Sequence, residues 1–339
     1  MNSIRLALLG AFGCLFLLSN MGQAQSATVL VGSGSTVPAP LYTRWSAEYG
    51  KRSATLQMRY LPVGTTEGIK QISHSAGDFA AGEAQLSEKE RKDDNLVELP
   101  IVLIAIVPIY NVPDVHQELR LSGDVLAGIF LGEIRNWNAP QIVKLNPDAN
   151  LPGLPIQVIN RPAGKGSNYV FTDFLSKANA RFKSQIGTTA SPKWPVGDPA
   201  ERSSDMADRV KNTPGAIGYV EYQYAEKNSI AQAAVLNPAG KFVKASAETL
   251  TAACQTIESP RWNNFAASLT NAPGADAFPI TSFTWIYLHN TSAGSRTYAL
   301  SDLLNWIYSD GQHFAGQEGY TELPAPLLAA VRKKVKELQ

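Results

Sequence analysis

Residues 27–50 read ATVLVGSGSTVPAPLYTRWSAEYG. Ala27–Val31 is an apolar run with β-branched residues, as expected of a strand. Gly32–Thr36 is a loop of glycine, serine and threonine, and Pro38–Gly50 has an amphipathic helical pattern. The order strand, short Gly/Ser/Thr loop, helix recurs twice. Leu56–Tyr60 leads through Gly64–Thr66 into a helical run from Glu67 to about Ala76. Pro155–Asn160 leads through Gly164–Ser167 into a helix from Gly166 to about Ala180. Val97–Tyr110 is long, apolar and rich in β-branched residues, the pattern of a strand covered on both faces. Ser122–Leu131 reads as a helix with Ser122 near its N-cap. Gly215–Tyr224 and Phe278–Leu288 read as strands, and Arg296–Tyr308 and Pro324–Leu338 as helices. Strands alternating with helices predict an α/β fold with sheets covered on both sides.

The three loops share a chemistry. A helix N-terminus presents unpaired backbone N–H groups and a partial positive charge, and Ser/Thr hydroxyls add donors. Ligands of open α/β sheets bind beyond the carboxyl ends of strands, where such termini gather. Capping a helix calls for the same residues, so one such loop says little. Three in one chain favour an anion site.

Bulk properties narrow the class. Met1–Arg5 gives a short positive start, Leu6–Leu18 an apolar run and Gly22-Gln23-Ala24 a small-residue cleavage site. This is the pattern of a cleavable export signal over residues 1–24, and the run is too short to span a bilayer. Lipid attachment at Cys14 is the competing reading, disfavoured by bulky Phe12. Removing Arg5 takes the formal charge from +1 to 0. No basic stripe is left, so nucleic acid is not an expected partner. Cys254 is the only cysteine of the mature chain and allows no internal disulfide. The 339 − 24 = 315 mature residues suffice for two domains stabilised by their cores.

A family resemblance runs through the mature chain. It is carried by Gly32-Ser-Gly-Ser-Thr-Val-Pro-Ala-Pro-Leu-Tyr42, Gly68-Ile-Lys-Gln-Ile72, Asp78-Phe79, Leu145-Asn-Pro147, Val170-Phe-Thr172, Lys193-Trp-Pro195, Pro214-Gly-Ala-Ile-Gly-Tyr-Val-Glu-Tyr222 and Phe278-Pro-Ile-Thr-Ser282. These resemble the periplasmic phosphate-binding proteins of the high-affinity phosphate ABC transporter. The resemblance implies a type II periplasmic binding protein fold, with two α/β lobes, two hinge crossings and a central ligand cleft. Lobe I would take residues 25–110 plus 280–339 and lobe II residues 111–279, with crossings near Tyr110–Asn111 and Phe278–Ile280. It implies a monomer in the periplasm that hands phosphate to permease subunits in the inner membrane, with no cofactor.

Site residues follow from the same resemblance. Thr36 matches a threonine that holds one phosphate oxygen, and Val37 the next backbone donor. Thr65 stands where the family commonly has serine, and Glu83 where it has an aspartate that accepts the phosphate proton. Arg161 matches the arginine that pairs with the anion. Gly166 and Ser167 match the residues opening the helix of the other lobe. Three further positions depart: Lys165 replaces a usual serine, Ala163 an aspartate braced against the arginine, and Gly82 a small polar residue. Lys165 leaves three readings: into the cleft as added charge, paired with Glu83, or out to solvent. The departures keep two alternatives open, another oxyanion or organic phosphate as ligand, and an adhesion or signalling module with a degenerate site.

Other features carry no activity. His74, His116, His289 and His313 lack metal-ligand spacing. Gly164-Lys-Gly-Ser167 lacks the earlier glycine and the Lys-Ser/Thr adjacency of a Walker motif, and no G-x-S-x-G elbow occurs. An enzyme is not expected. Trp137, Trp194 and Trp306 read as packing residues, Glu88–Asp94 as a solvated loop or helix, and Arg332, Lys333, Lys334 and Lys336 as one exposed helical face.

Overall fold

A computed structural model describes residues 27–257, 265, 267–290 and 294–337. The expected signal segment, with Cys14, lies outside them. The chain begins β1 (Thr28–Gly34), α1 (Ala39–Arg52), β2 (Leu56–Leu61), α2 (Thr65–Ser73), β3 (Phe79–Gly82), α3 (Glu88–Asp93) and β4 (Leu96–Tyr110). It continues with β5 (Arg120–Leu121), α4 (Gly123–Phe130), α5 (Pro140–Val143), β6 (Gln157–Asn160), α6 (Gly166–Ala178) and α7 (Ala180–Gln185). Next come β7 (Asp198–Pro199), α8 (Ser203–Asn212), β8 (Ala216–Glu221), α9 (Tyr222–Lys227), β9 (Ala234–Leu236), β10 (Phe242–Val243) and α10 (Ala247–Gln255). The last elements are β11 (Thr281–His289), α11 (Ser295–Ile307), α12 (Asp310–Gln317) and α13 (Ala325–Glu337).

One mixed sheet runs through the molecule in the order β2-β1-β3-β11-β4-β8-β6-β7, and β10-β9-β5 form a small second sheet. β4 is its spine. Leu96–Ala105 pair antiparallel with β11, and Ile106–Tyr110 pair antiparallel with β8. All but one of its residues are buried, which accounts for the unbroken apolar run in the sequence. Pro100 lacks an N–H for the ladder, and the register against β11 shifts there, with Thr284 opposite Val102 and Trp285 opposite Pro100. Gln312 Nε2 donates to the carbonyl of the skipped residue, Ile101, at 3.0 Å, so the bulge leaves no orphan acceptor.

Most expected elements form within a residue or two. Ser122 caps α4, its side chain accepting from Val125 N. Glu88–Asp93 is a helix with no buried residue. Trp137 is fully buried and Trp306 nearly so, and Trp194 packs beside Phe130 and Tyr219. β1 runs on to Gly34, into the expected loop, and α2 ends at Ser73 rather than near Ala76. Two further boundaries differ. The strand expected over Gly215–Tyr224 stops at Glu221 and Tyr222–Lys227 turns into α9, because the β-branched residues end at Val220 and helix formers follow. The strand expected from Phe278 begins at Thr281, after Pro279. Arg332 does more than face solvent, since its guanidinium donates to Tyr308 O at the C-terminal end of α11. Among the described residues no helix is long and apolar enough to cross a membrane.

Candidate anion-binding site

β1, β3 and β6 end where α1, α2 and α6 begin. Among the described residues four helices have a side-chain N-cap, from Ser87, Ser122, Asn179 and Ser246. Helices α1, α2 and α6 have none. The hydroxyls of the three Gly/Ser/Thr loops are therefore not spent on capping their own helices.

The loops meet. Thr66 N donates to Gly164 O at 3.3 Å, tying the start of α2 to the loop before α6. Gly64 needs to be glycine: its φ is +99°, and a Cβ there would lie 3.2 Å from Gly164 O. Gly166 opens α6 against the carboxylate of Glu83, whose Oε2 lies 1.6 Å from where a Cβ on Gly166 would sit. The same oxygen accepts from Thr65 Oγ1 at 3.1 Å. Gly82 accommodates this threonine, because a Cβ on Gly82 would lie 2.5 Å from the Thr65 methyl. The departures at 65 and 82 thus fit each other: threonine fills space that a larger residue than glycine would occupy.

Glu83 is fully buried, and its Oε1 has no hydrogen-bond partner. Burial pushes its carboxyl up to about 7, with the charge of Glu221 adding to the push. The hydroxyls of Ser35, Thr65 and Thr284 oppose it. Arg161 is 2 % exposed, yet its Nε and Nη1 have no partner, and no carboxylate stands at ion-pair distance among the described residues. Its backbone is held firmly. Arg161 N donates to Tyr219 Oη at 3.2 Å, and Asn168 Nδ2 of α6 donates to Pro162 O at 2.7 Å. Ser167 Oγ, on the first turn of α6, is likewise buried and unpartnered. A buried guanidinium and a buried hydroxyl without partners are costly to a fold unless something else satisfies them.

Thr65, Glu83, Arg161, Gly166 and Ser167 are all buried at this junction. Thr36 is half-buried on the loop before α1. Val37 N does not stand free as a donor, because Ser35 Oγ accepts from it at 3.1 Å. Lys165 is paired with Glu201, Nζ to Oε2 at 3.3 Å, and is 17 % exposed in its side chain. The pair is with Glu201, whose side chain is exposed, and not with Glu83. Ala163 is exposed and offers Arg161 no brace. Residue types alone did not single out Ser35, Thr284, Glu201 or Glu221. Only Ser35 left a signal, as part of the first Gly/Ser/Thr loop.

A mixed sheet with helix starts gathered beside a buried arginine makes an α/β fold with a candidate anion site. Residues 21–311 match the PBP superfamily domain. A phosphate-binding protein PstS of Pasteurella multocida is 33 % identical over 322 residues, covering 94 % of this chain and 93 % of that protein. Its counterpart in Haemophilus influenzae is 34 % identical over 312 residues, covering 91 % and 93 %. The chain belongs to this family, the PstS phosphate-binding proteins of the PBP superfamily. The fold matches solved structures as well. A high-affinity periplasmic phosphate-binding protein with phosphate bound superposes with a TM-score of 0.72 at 20 % identity, covering 90 % of this chain and 93 % of that one. An ABC-type phosphate transport receptor from Vibrio cholerae gives 0.62 at 17 %, covering 87 % and 100 %.

Proposed function

We propose that this chain captures inorganic phosphate in the periplasm and delivers it to the permease of an ABC transporter. The observation that carries the reading is the buried guanidinium of Arg161, unpaired and set beside the uncapped start of α6 with its unpartnered Ser167. A tetrahedral oxyanion would satisfy both, with Thr36 and Thr65 supplying further hydroxyls. Glu83 would accept the proton of phosphate. Fully ionised sulfate has none, and would face an unmatched carboxylate.

The ligand would be held between lobe I, residues 25–110 with 280–339, and lobe II, residues 111–279. The change of partner along β4, from β11 to β8 after Ala105, supports a division close to this one. Contacts from both lobes would favour a closed form that a transporter can tell from the empty one. Residues 1–24 would act as a cleaved export signal, and the mature protein would work as a monomer. The near-complete burial of Glu83, Thr65, Arg161 and Ser167 favours a small anion over a phosphate ester.

The test is calorimetry on ligand-stripped mature protein titrated with phosphate, with sulfate and a small phosphate ester as competitors. Phosphate should bind, sulfate should fail to displace it, and Arg161→Met should abolish binding while leaving a folded protein. Phosphate binding unchanged in Arg161→Met would overturn the reading.

A further inference from the structure

The turn from Arg161 to Asn168 carries two buried donors of the site that have no partner, Arg161 at its start and Ser167 on the first turn of α6. One phenol holds both ends of it. Tyr219 of β8 is fully buried. Its ring stacks on Phe171 with centroids 4.3 Å apart and is set against Phe130 at 5.6 Å and Trp194 at 6.3 Å. A ring packed on three sides presents its Oη in one place. That oxygen accepts from Arg161 N at 3.2 Å and donates to Asn168 Oδ1. Asn168 is fully buried too, and its Nδ2 donates to Pro162 O at 2.7 Å inside the turn and to Ala190 O at 3.1 Å beside it. Ala190 O also accepts from Gly164 N at 2.9 Å. Arg161, Pro162, Gly164 and Asn168 are thus joined through neutral groups alone.

We propose that Tyr219 is a positioning residue of the anion site: its hydroxyl, with Asn168, fixes the backbone from which the Arg161 guanidinium and the Ser167 hydroxyl reach the ligand. This deepens the phosphate reading above and rests on it. With alanine at 163, no side chain of the turn braces the guanidinium. A carboxylate beside it would take up part of its charge and part of its fork of donors. A brace on the backbone N–H takes neither, so Nε and Nη1 stay unspent. Tyr219 acts only through Arg161 and α6, because its hydroxyl already makes its own two bonds.

Tyr219→Phe removes one oxygen and keeps the ring. Phosphate affinity measured by calorimetry on the folded variant should fall about 10- to 100-fold, the usual cost of removing a group that orients a metal ligand. Trp137→Phe is the control for stability. It breaks another buried bond, Trp137 Nε1 to Gly215 O at 3.0 Å, and should lower the urea midpoint while leaving the affinity unchanged. In nitrogen-15 spectra the Arg161 Nε signal, assigned by its absence from Arg161→Met, should be sharp in phosphate-bound wild type and broadened in phosphate-saturated Tyr219→Phe. The wild type supplies a test that needs no variant to fold: without ligand, the Arg161 amide should resist hydrogen exchange. Wild-type affinity in folded Tyr219→Phe, an equal loss of affinity in Trp137→Phe, or an Arg161 amide that exchanges like an open loop overturns the proposal and leaves the phosphate reading intact. No phosphate binding by the wild-type protein removes that reading, and this proposal with it.

Discussion

Replacing Gly166 by alanine tests whether the start of α6 and Glu83 close on the same ligand. The new Cβ would lie 1.6 Å from Glu83 Oε2, 2.7 Å from its Cδ and 2.5 Å from Thr65 Oγ1. Ordinary contact begins at 3.4 Å, so the carboxylate and the start of α6 must separate by 3.4 − 1.6 = 1.8 Å. Gly166 does not have a positive φ and lies at the first position of a helix, where alanine is well tolerated. Losing glycine's backbone freedom in the unfolded chain gains about 0.4–1 kcal/mol, but crowding a fully buried carboxylate costs about 1–3 kcal/mol. The urea midpoint should therefore fall modestly. Binding should suffer, because an anion held by the first N–H groups of α6 and by Thr65 can no longer reach both. Losing one hydrogen bond to a charged group costs about 1.5–3 kcal/mol, which is about 10- to 150-fold in affinity. Calorimetry with phosphate and urea denaturation on the same preparation read both quantities. A folded Gly166→Ala protein with wild-type phosphate affinity would refute the reasoning, since it would mean that α6 and Glu83 do not close on the same ligand.

Three further predictions follow from the same contacts. Glu83→Gln should weaken phosphate binding and admit sulfate, cutting a discrimination expected on the order of 10⁴ to within about tenfold in competition titrations. The ligand-free protein should lose stability as pH rises from 4.5 to 7. The Glu83 carboxyl is neutral in both folded and unfolded chains below 4.5, and above about 7 it is ionised in both, at a cost in the fold of about 3 kcal/mol. Urea melts across that range should show the slope, and Glu83→Gln should reduce it without removing it, because burial also holds Glu98 up to about 7. Finally, Gly82→Ser should destabilise by about 1–3 kcal/mol through overpacking against the Thr65 methyl, and Thr65→Ser should recover most of that loss in a double-mutant cycle. Additive effects would show that the two positions are not coupled.

The parts of the fold legible in the sequence are those where one physical requirement dominates. β4 had to be read as a strand covered on both faces, because nothing else tolerates so long an apolar β-branched run. Ser122 announced its helix because a cap needs an oxygen at that place. β3 was harder to read. Phe-Ala-Ala-Gly carries neither alternation nor branched residues, and it is a strand because β1 and β11 flank it. The end of β8 shows the reverse case, where an apolar run gives way to helix formers with no turn residue to mark the change.

The site divides along the same line. Arg161 came from the family resemblance alone, whereas residue types placed Thr65, Gly166 and Ser167 near an anion because a helix start and a hydroxyl each have local meaning. The fate of Lys165 had none. Its partner Glu201 lies 36 residues away on a loop whose course depends on β7 pairing with β6. The changes at 65, 82, 83, 163 and 165 therefore do not sum as independent charges. Two of them fit one another sterically, one is neutralised at the rim, and the missing aspartate leaves Arg161 unpaired. The remaining change, Glu83, puts a longer carboxylate against the first turn of α6. A site altered in this way leaves Arg161 as the one fully buried guanidinium without an ion pair among the described residues, and sets the longer carboxylate of Glu83 against the helix start that follows it.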